Sequence, residues 1–171
     1  PPMTRLLLAA VPAVAAIGLL SVLPAASTTP STTPAAADTL ESPAGPGSAE
    51  PNLAVGPDGK VYLSWLEPID SGFALRFSSF DGNRWSAART IRSGRDFFVN
   101  WADFPSIAAL DKNHLAVHWL QKTGKSTYAY AVRISQSRDG GATWLAATQP
   151  HTDSSEQEHG FVALWREGSQ L

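Results

Sequence analysis

The 171-residue chain has no cysteine, and no excess of charge: thirteen lysines and arginines stand against fifteen acids, for a net charge of −2. Without cysteine no disulfide can form, so the folded part must hold together by packing. The same absence speaks against a lipid-anchored lipoprotein. Basic residues that are few, scattered and balanced give no electrostatic footprint for a nucleic acid. A long apolar run occurs once, "LLLAAVPAVAAIGLLSVL" at 6–23, directly behind Arg5. Its length of about 18 residues is near that of a membrane span. However, Pro12, Gly18 and the small residues that follow, at 25–27 or 35–37, suit an export signal over 1–26 better. On that reading Pro1 and Pro2 lie upstream of the true start at Met3, and the mature chain is secreted or periplasmic with no membrane attachment. Residues 27–50 hold almost no large apolar group, Leu40 excepted, and are rich in Pro, Ser, Thr, Ala and Gly. Such a stretch cannot bury enough surface to offset its ordering entropy, so it reads as a linker without fixed structure. Residues 51–171 remain to fold.

What is present there is repetition. "PNLAVGPDGKVYLSWLE", 51–67, aligns without gaps on "PSIAALDKNHLAVHWLQ", 105–121, at an offset of 54 residues. Pro51 meets Pro105, Trp65 meets Trp119 and Leu66 meets Leu120. Farther on, "RFSSFDGNRWSAA" resembles "RISQSRDGGATWLAA", with Ser79, Asp81 and Trp85 echoing Ser137, Asp139 and Trp144. A third copy opens at "HGFVALW", where His159 falls at the same offset from Pro105. Each copy reads as four short strands; in the first they are "NLAV", "KVYLSW", "FALRFSSF" and "WSAARTI", parted by turns such as "GPDG" and "FDGN". Four antiparallel strands in about fifty repeated residues suggest an all-β protein built as a β-propeller. A β-sandwich made from the same strands is the alternative.

The turn "SRDGGATW", 137–144, carries the sharper signal. Asp-Gly-Gly tolerates positive φ, short hydroxyl and carboxylate groups can bond nearby backbone N–H groups, and the tryptophan can cover the turn. Ser137, Asp139, Gly141, Thr143 and Trp144 fill every position of the Ser-x-Asp-x-Gly-x-Thr-Trp Asp-box. Over residues 50–171 the sequence therefore resembles the sialidase-like propellers with Asp-box (BNR) repeats, the copy at Ser79 being degenerate. The resemblance implies two four-stranded blades and the start of a third, of six in a whole propeller, with further blades needed for closure. It implies that the Asp-box is a folding device away from the ligand site. For the active members it implies a glycoside hydrolase with three arginines on the sugar carboxylate, an aspartate acid/base, and a tyrosine nucleophile activated by a glutamate. The family's first arginine lies in a Phe/Tyr-Arg-Ile-Pro motif; the corresponding stretch here reads "SAEPNLAV". The alternative is a non-catalytic propeller that binds glycans or a protein partner. Neither needs a cofactor.

In an up-and-down blade the inter-blade loops share one face, and the Asp-box turns lie on the other. The ligand face then collects Glu50, Glu67, Asp70 and Asp153 with the stretch "RSGRDFFVNWADFPS", 92–106. In that stretch Asp103 and Asp96 are the candidate acid/base residues. Arg92, Arg95 and Asn100 can bond a carboxylate or hydroxyls, and Trp101 can offer an aromatic face to a sugar. The competing reading packs Phe97, Phe98 and Phe104 between blades. The stretch "HTDSSEQEHG", 151–160, has two histidines and three acids, but its polarity fits a solvated loop better than a metal site. Glu158 and His159 directly precede the third copy and are candidates for ligand binding near the centre. Arg76 and Arg133 recur in both third strands, which points to a structural role.

Overall fold

The computed structural model describes residues 39–168 and 170–171; the signal-peptide reading over 1–26 and the first half of the linker reading, 27–38, fall outside them. Among the described residues there is no helix, and seven strands form two antiparallel sheets. The first sheet holds β1 (Ala49–Val55), β2 (Val61–Ile69), β3 (Gly72–Phe80) and β4 (Arg89–Gly94) in the order β1-β2-β3-β4. The second holds β5 (Ser106–Ala109), β6 (Leu115–Lys122) and β7 (Tyr130–Ser137) in the order β5-β6-β7. Every strand pairs with its neighbour in sequence, so each sheet is a meander.

The repeat is reproduced in the hydrogen-bond register. Asn52 pairs with Ser64 and Val55 with Val61, while Ser106 pairs with His118 and Ala109 with Leu115. Both members of each pair move by the same 54 residues. The third strands also coincide, since Trp65 faces Arg76 and Trp119 faces Arg133. This register corrects one detail of the motif alignment. Val61 faces Phe80 and its counterpart Leu115 faces Ser137. Phe80, and not Ser79, therefore stands where the Asp-box serine stands in the second copy. The first turn is shorter, and it is closed differently. Asp81 Oδ1 accepts from the N–H groups of Asn83 and Arg84, and the Phe80 and Trp85 rings pack at 5.3 Å.

Three boundaries differ from the sequence reading. β1 begins at Ala49, inside the expected linker, because Ala49 pairs with Leu66 across a bulge that ends at Asn52. β4 begins at Arg89 and not at Trp85, which is tied into the turn by its bridge to Phe80. The fourth strand of the second copy is reduced to a bridge between Ile134 and Thr148. There Ala146 and Ala147 offer little to pack, and Pro150 has no N–H to donate. The opening of the third copy, 159–165, forms no strand.

The core explains the apolar strands. Tyr62, Leu66, Leu75 and Phe77 of the first sheet meet Ile107, Leu115, Val117 and Trp119 of the second in one cluster, with Phe97 completing it. The other face of the second sheet carries a smaller cluster of Phe98, Leu120, Tyr130 and Val132, against which Val162 packs. β6 is thus buried on both faces from Leu115 to Leu120, which is why it reads as a continuous apolar run and not as an alternation.

Candidate functional site

The site is set by how the chain crosses between the sheets. β5 is short, so the far end of β6 has a free edge, and residues 96–98 take it. The Phe98 N–H donates to Leu120 O at 3.0 Å and the Lys122 N–H donates to Asp96 O at 2.7 Å. Successive side chains then point to opposite faces. Phe97 enters the first cluster and Phe98 the second, both buried. This settles the competing reading for these two phenylalanines in favour of packing. Phe104 stays 44% exposed and Trp101 is 97% exposed.

Beyond Phe98 the chain turns sharply. Asn100 Oδ1 accepts from the N–H groups of Ala102 and Asp103, and Asn100 Nδ2 donates to Asp103 Oδ2 at 2.6 Å. Asn100 and Asp103 therefore brace one turn, with Trp101 at its tip. Under it lies an open cleft of about 530 Å³ bordered by Glu50, Pro51, Val99, Asn100, Trp101 and Phe104. Asp103 lines a neighbouring cavity of about 290 Å³ with Phe104, His118 and Val162. His118 shares a hydrogen bond with Ser106 Oγ at 2.8 Å, and burial lowers its pKa to about 4, against a smaller opposing effect of Asp103. It is neutral at ordinary pH.

Glu50 is the residue that sequence reasoning undervalued, counting it only among the acids of this face. Both of its carboxylate oxygens are buried and unpartnered by hydrogen-bond geometry. Burial pushes its pKa up to about 7, with the Asn100 backbone pulling it down and Asp103 adding to the rise. Its backbone is left-handed, φ 55°, within the β1 bulge. An acid among small residues before a strand gives no warning of this, because the burial comes from residues 97–120 elsewhere in the chain.

The remaining candidates sit in separate groups. Arg92 Nη2 donates to both Asp96 oxygens, at 2.5 and 2.7 Å, and its guanidinium lies over the Phe97 ring at 4.7 Å. Arg95 is exposed and donates to Ser71 O at 3.2 Å. Neither arginine borders the Trp101 cleft. Glu158 accepts from the Tyr130 hydroxyl at 2.7 Å. His159 Nδ1 faces two carbonyl oxygens, of Tyr130 and Gln157, and must carry a proton; its Nε2 lies 3.1 Å from Asp153, whose hydrogen bond is the main cause of a raised pKa. His151 stacks on it at 4.4 Å. Glu158 and His159 thus tie residues 149–160 to the start of β7 and stand apart from the Trp101 cleft. Among the described residues, no three histidine or acidic side chains gather as a metal site requires. Of the recurring arginines, Arg76 pairs with Glu67 at 3.1 Å, and for Arg133 no equivalent ion pair is found among the described residues.

The 137–144 turn is closed by its own side chains. Ser137 Oγ donates to Asp139 Oδ1 at 2.7 Å and accepts from the Gly141 N–H at 2.8 Å. Thr143 donates through its N–H at 2.9 Å and its hydroxyl at 2.6 Å to Asp139, holding that carboxyl well below the usual range. The box also joins the sheets. Trp144 meets the Phe77 ring edge-on at 5.8 Å, and Arg89 donates to Gly140 O at 2.7 Å while lying over Phe77 at 4.6 Å. Comparison with protein-family models and with curated proteins finds no match for this chain.

Proposed function

We propose that residues 49–171 are blades of an Asp-box β-propeller that binds a glycan in the cleft beside Trp101. The propeller reading is supported by the twice-used register and by the placing of the inner strands. β5 runs alongside β1, and these two strands with residues 162–166, the third copy, border a common cleft of about 470 Å³. The single observation that carries the glycan reading is Trp101. An indole 97% exposed at the tip of a braced turn presents a flat apolar face with a polar edge, and a sugar's C–H face suits it. Asn100 and Asp103 hold that turn in one shape, so the platform is prepared before binding.

Hydrolysis is a second reading, favoured by the adjacency of Glu50, held protonated up to about 7, and Asp103. An acid raised in pKa by burial beside a second acidic side chain suits acid/base work on glycosides. The sialidase version is weaker here, since Arg92 is engaged by Asp96 and Arg95 by a backbone carbonyl.

The test is binding to immobilised neutral and sialylated oligosaccharides, with Trp101→Ala beside the parent. The reading expects binding to at least one glycan class, weakened tenfold or more by Trp101→Ala at unchanged melting temperature. Equal binding by parent and variant removes Trp101 from the site. Turnover of chromogenic glycosides by the parent, abolished by Asp103→Asn, decides for hydrolysis.

A further inference from the structure

Glu50 combines three features that a strand residue rarely shows together. Its φ is 55°, a left-handed region that is strained for any residue with a side chain. It lies in a bulge, between the Ala49–Leu66 and Asn52–Ser64 pairs, where the ladder skips register. Its two carboxylate oxygens are buried and no hydrogen bond of good geometry reaches them, although the Asn100 backbone lies near enough to pull the pKa down. A small enclosed space beside it is walled by Leu66, Phe97, Phe98, Phe104, Trp119 and Asp103. Of these neighbours Asp103 alone is ionisable, and Asp103 belongs to the turn that carries Trp101. A strained backbone, a broken ladder and an unsatisfied acid converge under one loop, and strain of this kind persists where the surroundings hold it in place.

We propose that Glu50 is the positioning residue of the Trp101 loop: seated beneath residues 99–104 it holds them in the ligand-binding arrangement, and on leaving that seat it releases them. The neutral acid can stay in an apolar seat next to Asp103. The carboxylate cannot, because the hydration it loses outweighs the pull of the Asn100 backbone, and Asp103 adds a second negative charge on the loop above. Asn100 locks Asp103 and Ala102 into one turn, so the turn resting on the Glu50 seat moves as one piece when Glu50 leaves it. Trp101 makes no packing contact that resists the movement, being exposed almost completely. The loop therefore has two arrangements selected by one proton. The consequence for glycan binding, tighter in mild acid than in mild alkali, rests on the proposed function above; the response of the loop does not.

The experiment reads the loop without any ligand. Protein labelled with 5-fluorotryptophan gives a fluorine resonance for Trp101, identified by its loss in Trp101→Phe. In the parent that resonance is expected to move between pH 5 and 8 with a midpoint near 7. In Glu50→Gln, which keeps shape and cannot ionise, it is expected to stay at its acid-side position throughout. In Asp103→Asn the midpoint should fall, because the neighbouring charge is gone. A parent resonance that does not move between pH 5 and 8 overturns the proposal, as does a transition that survives in Glu50→Gln. If the loop responds as described but no glycan binds at any pH, the glycan reading fails and the positioning role stands.

Discussion

At the scale of single residues, two buried groups give opposite pH dependences. Glu50 has a folded value near 7, above its ordinary 4.5, so the folded state is favoured while it is protonated and loses that advantage as pH rises from about 4.5 to 7. His118 has a folded value near 4, below its ordinary 6.5. Its contribution is complete above pH 6.5 and is lost as pH falls toward 4. The two nearly offset one another in the parent. Urea midpoints of Glu50→Gln should therefore fall as pH drops from 6.5 to 4, and those of His118→Gln should fall as pH rises from 4.5 to 7. Flat profiles in both variants would remove the buried-acid and buried-base assignments. Gly141 supplies a second residue-level prediction. It has φ 86°, and a Cβ there would run into Phe77 Cζ, whereas one at Gly82, φ 94°, meets nothing within 4 Å. Gly82→Ala should cost about 1–2 kcal/mol from the backbone alone. Gly141→Ala adds an overpacking cost of about 1–3 kcal/mol, so equal denaturation midpoints would contradict the packing. The Gly141 constraint was legible in the motif. The Glu50 environment was not, because it is assembled from residues distant in sequence.

At the scale of elements, turn chemistry was easier to read than strand limits. The offset of 54 residues was visible in matched Pro, Trp and Leu positions, and it returns as a shared register. What failed were strands whose limits depend on partners: β4 starts late because Trp85 is held by Phe80, and Ala-rich 144–149 makes only a bridge. The serine of the degenerate box was misaligned by one because a short turn hides a change of register. The strap of residues 96–98 on β6 was likewise invisible, since nothing in "DFFVN" announces pairing with a strand twenty residues later. Trp144 tests the element that joins the sheets. Trp144→Ala removes the edge-on contact with Phe77 and should cost about 3 kcal/mol, read as a lowered denaturation midpoint, while leaving glycan binding per folded molecule unchanged. A binding defect at full stability would place the Asp-box on the ligand side.

At the scale of the whole molecule, the all-β class and the two meanders were legible, because strand-rich composition and turn spacing report them directly. The arrangement of the sheets was not, since it depends on which faces meet. Leu53 and Val55 on β1 are 63% and 74% exposed, and with Trp165, 80% exposed, they border the cleft shared by the three copies. Apolar groups on a strand edge favour association. The 171-residue chain is expected to self-associate in light scattering at micromolar concentration, and Leu53→Lys with Trp165→Lys should shift it toward monomer. A monomeric parent would mean that this surface is closed in solution. The clamp of Arg89 and Phe77 on the 137–144 turn governs the hydrogen exchange of one amide. The Gly141 amide is bonded to Ser137 inside the second sheet, yet its cover is the Phe77 ring of the first. That amide can meet solvent catalyst when the sheets part, so its exchange should keep pace with β3 amides and not with the nearby turn amides. The two sheets would then open as one cooperative unit, and a probe in either one would report on both.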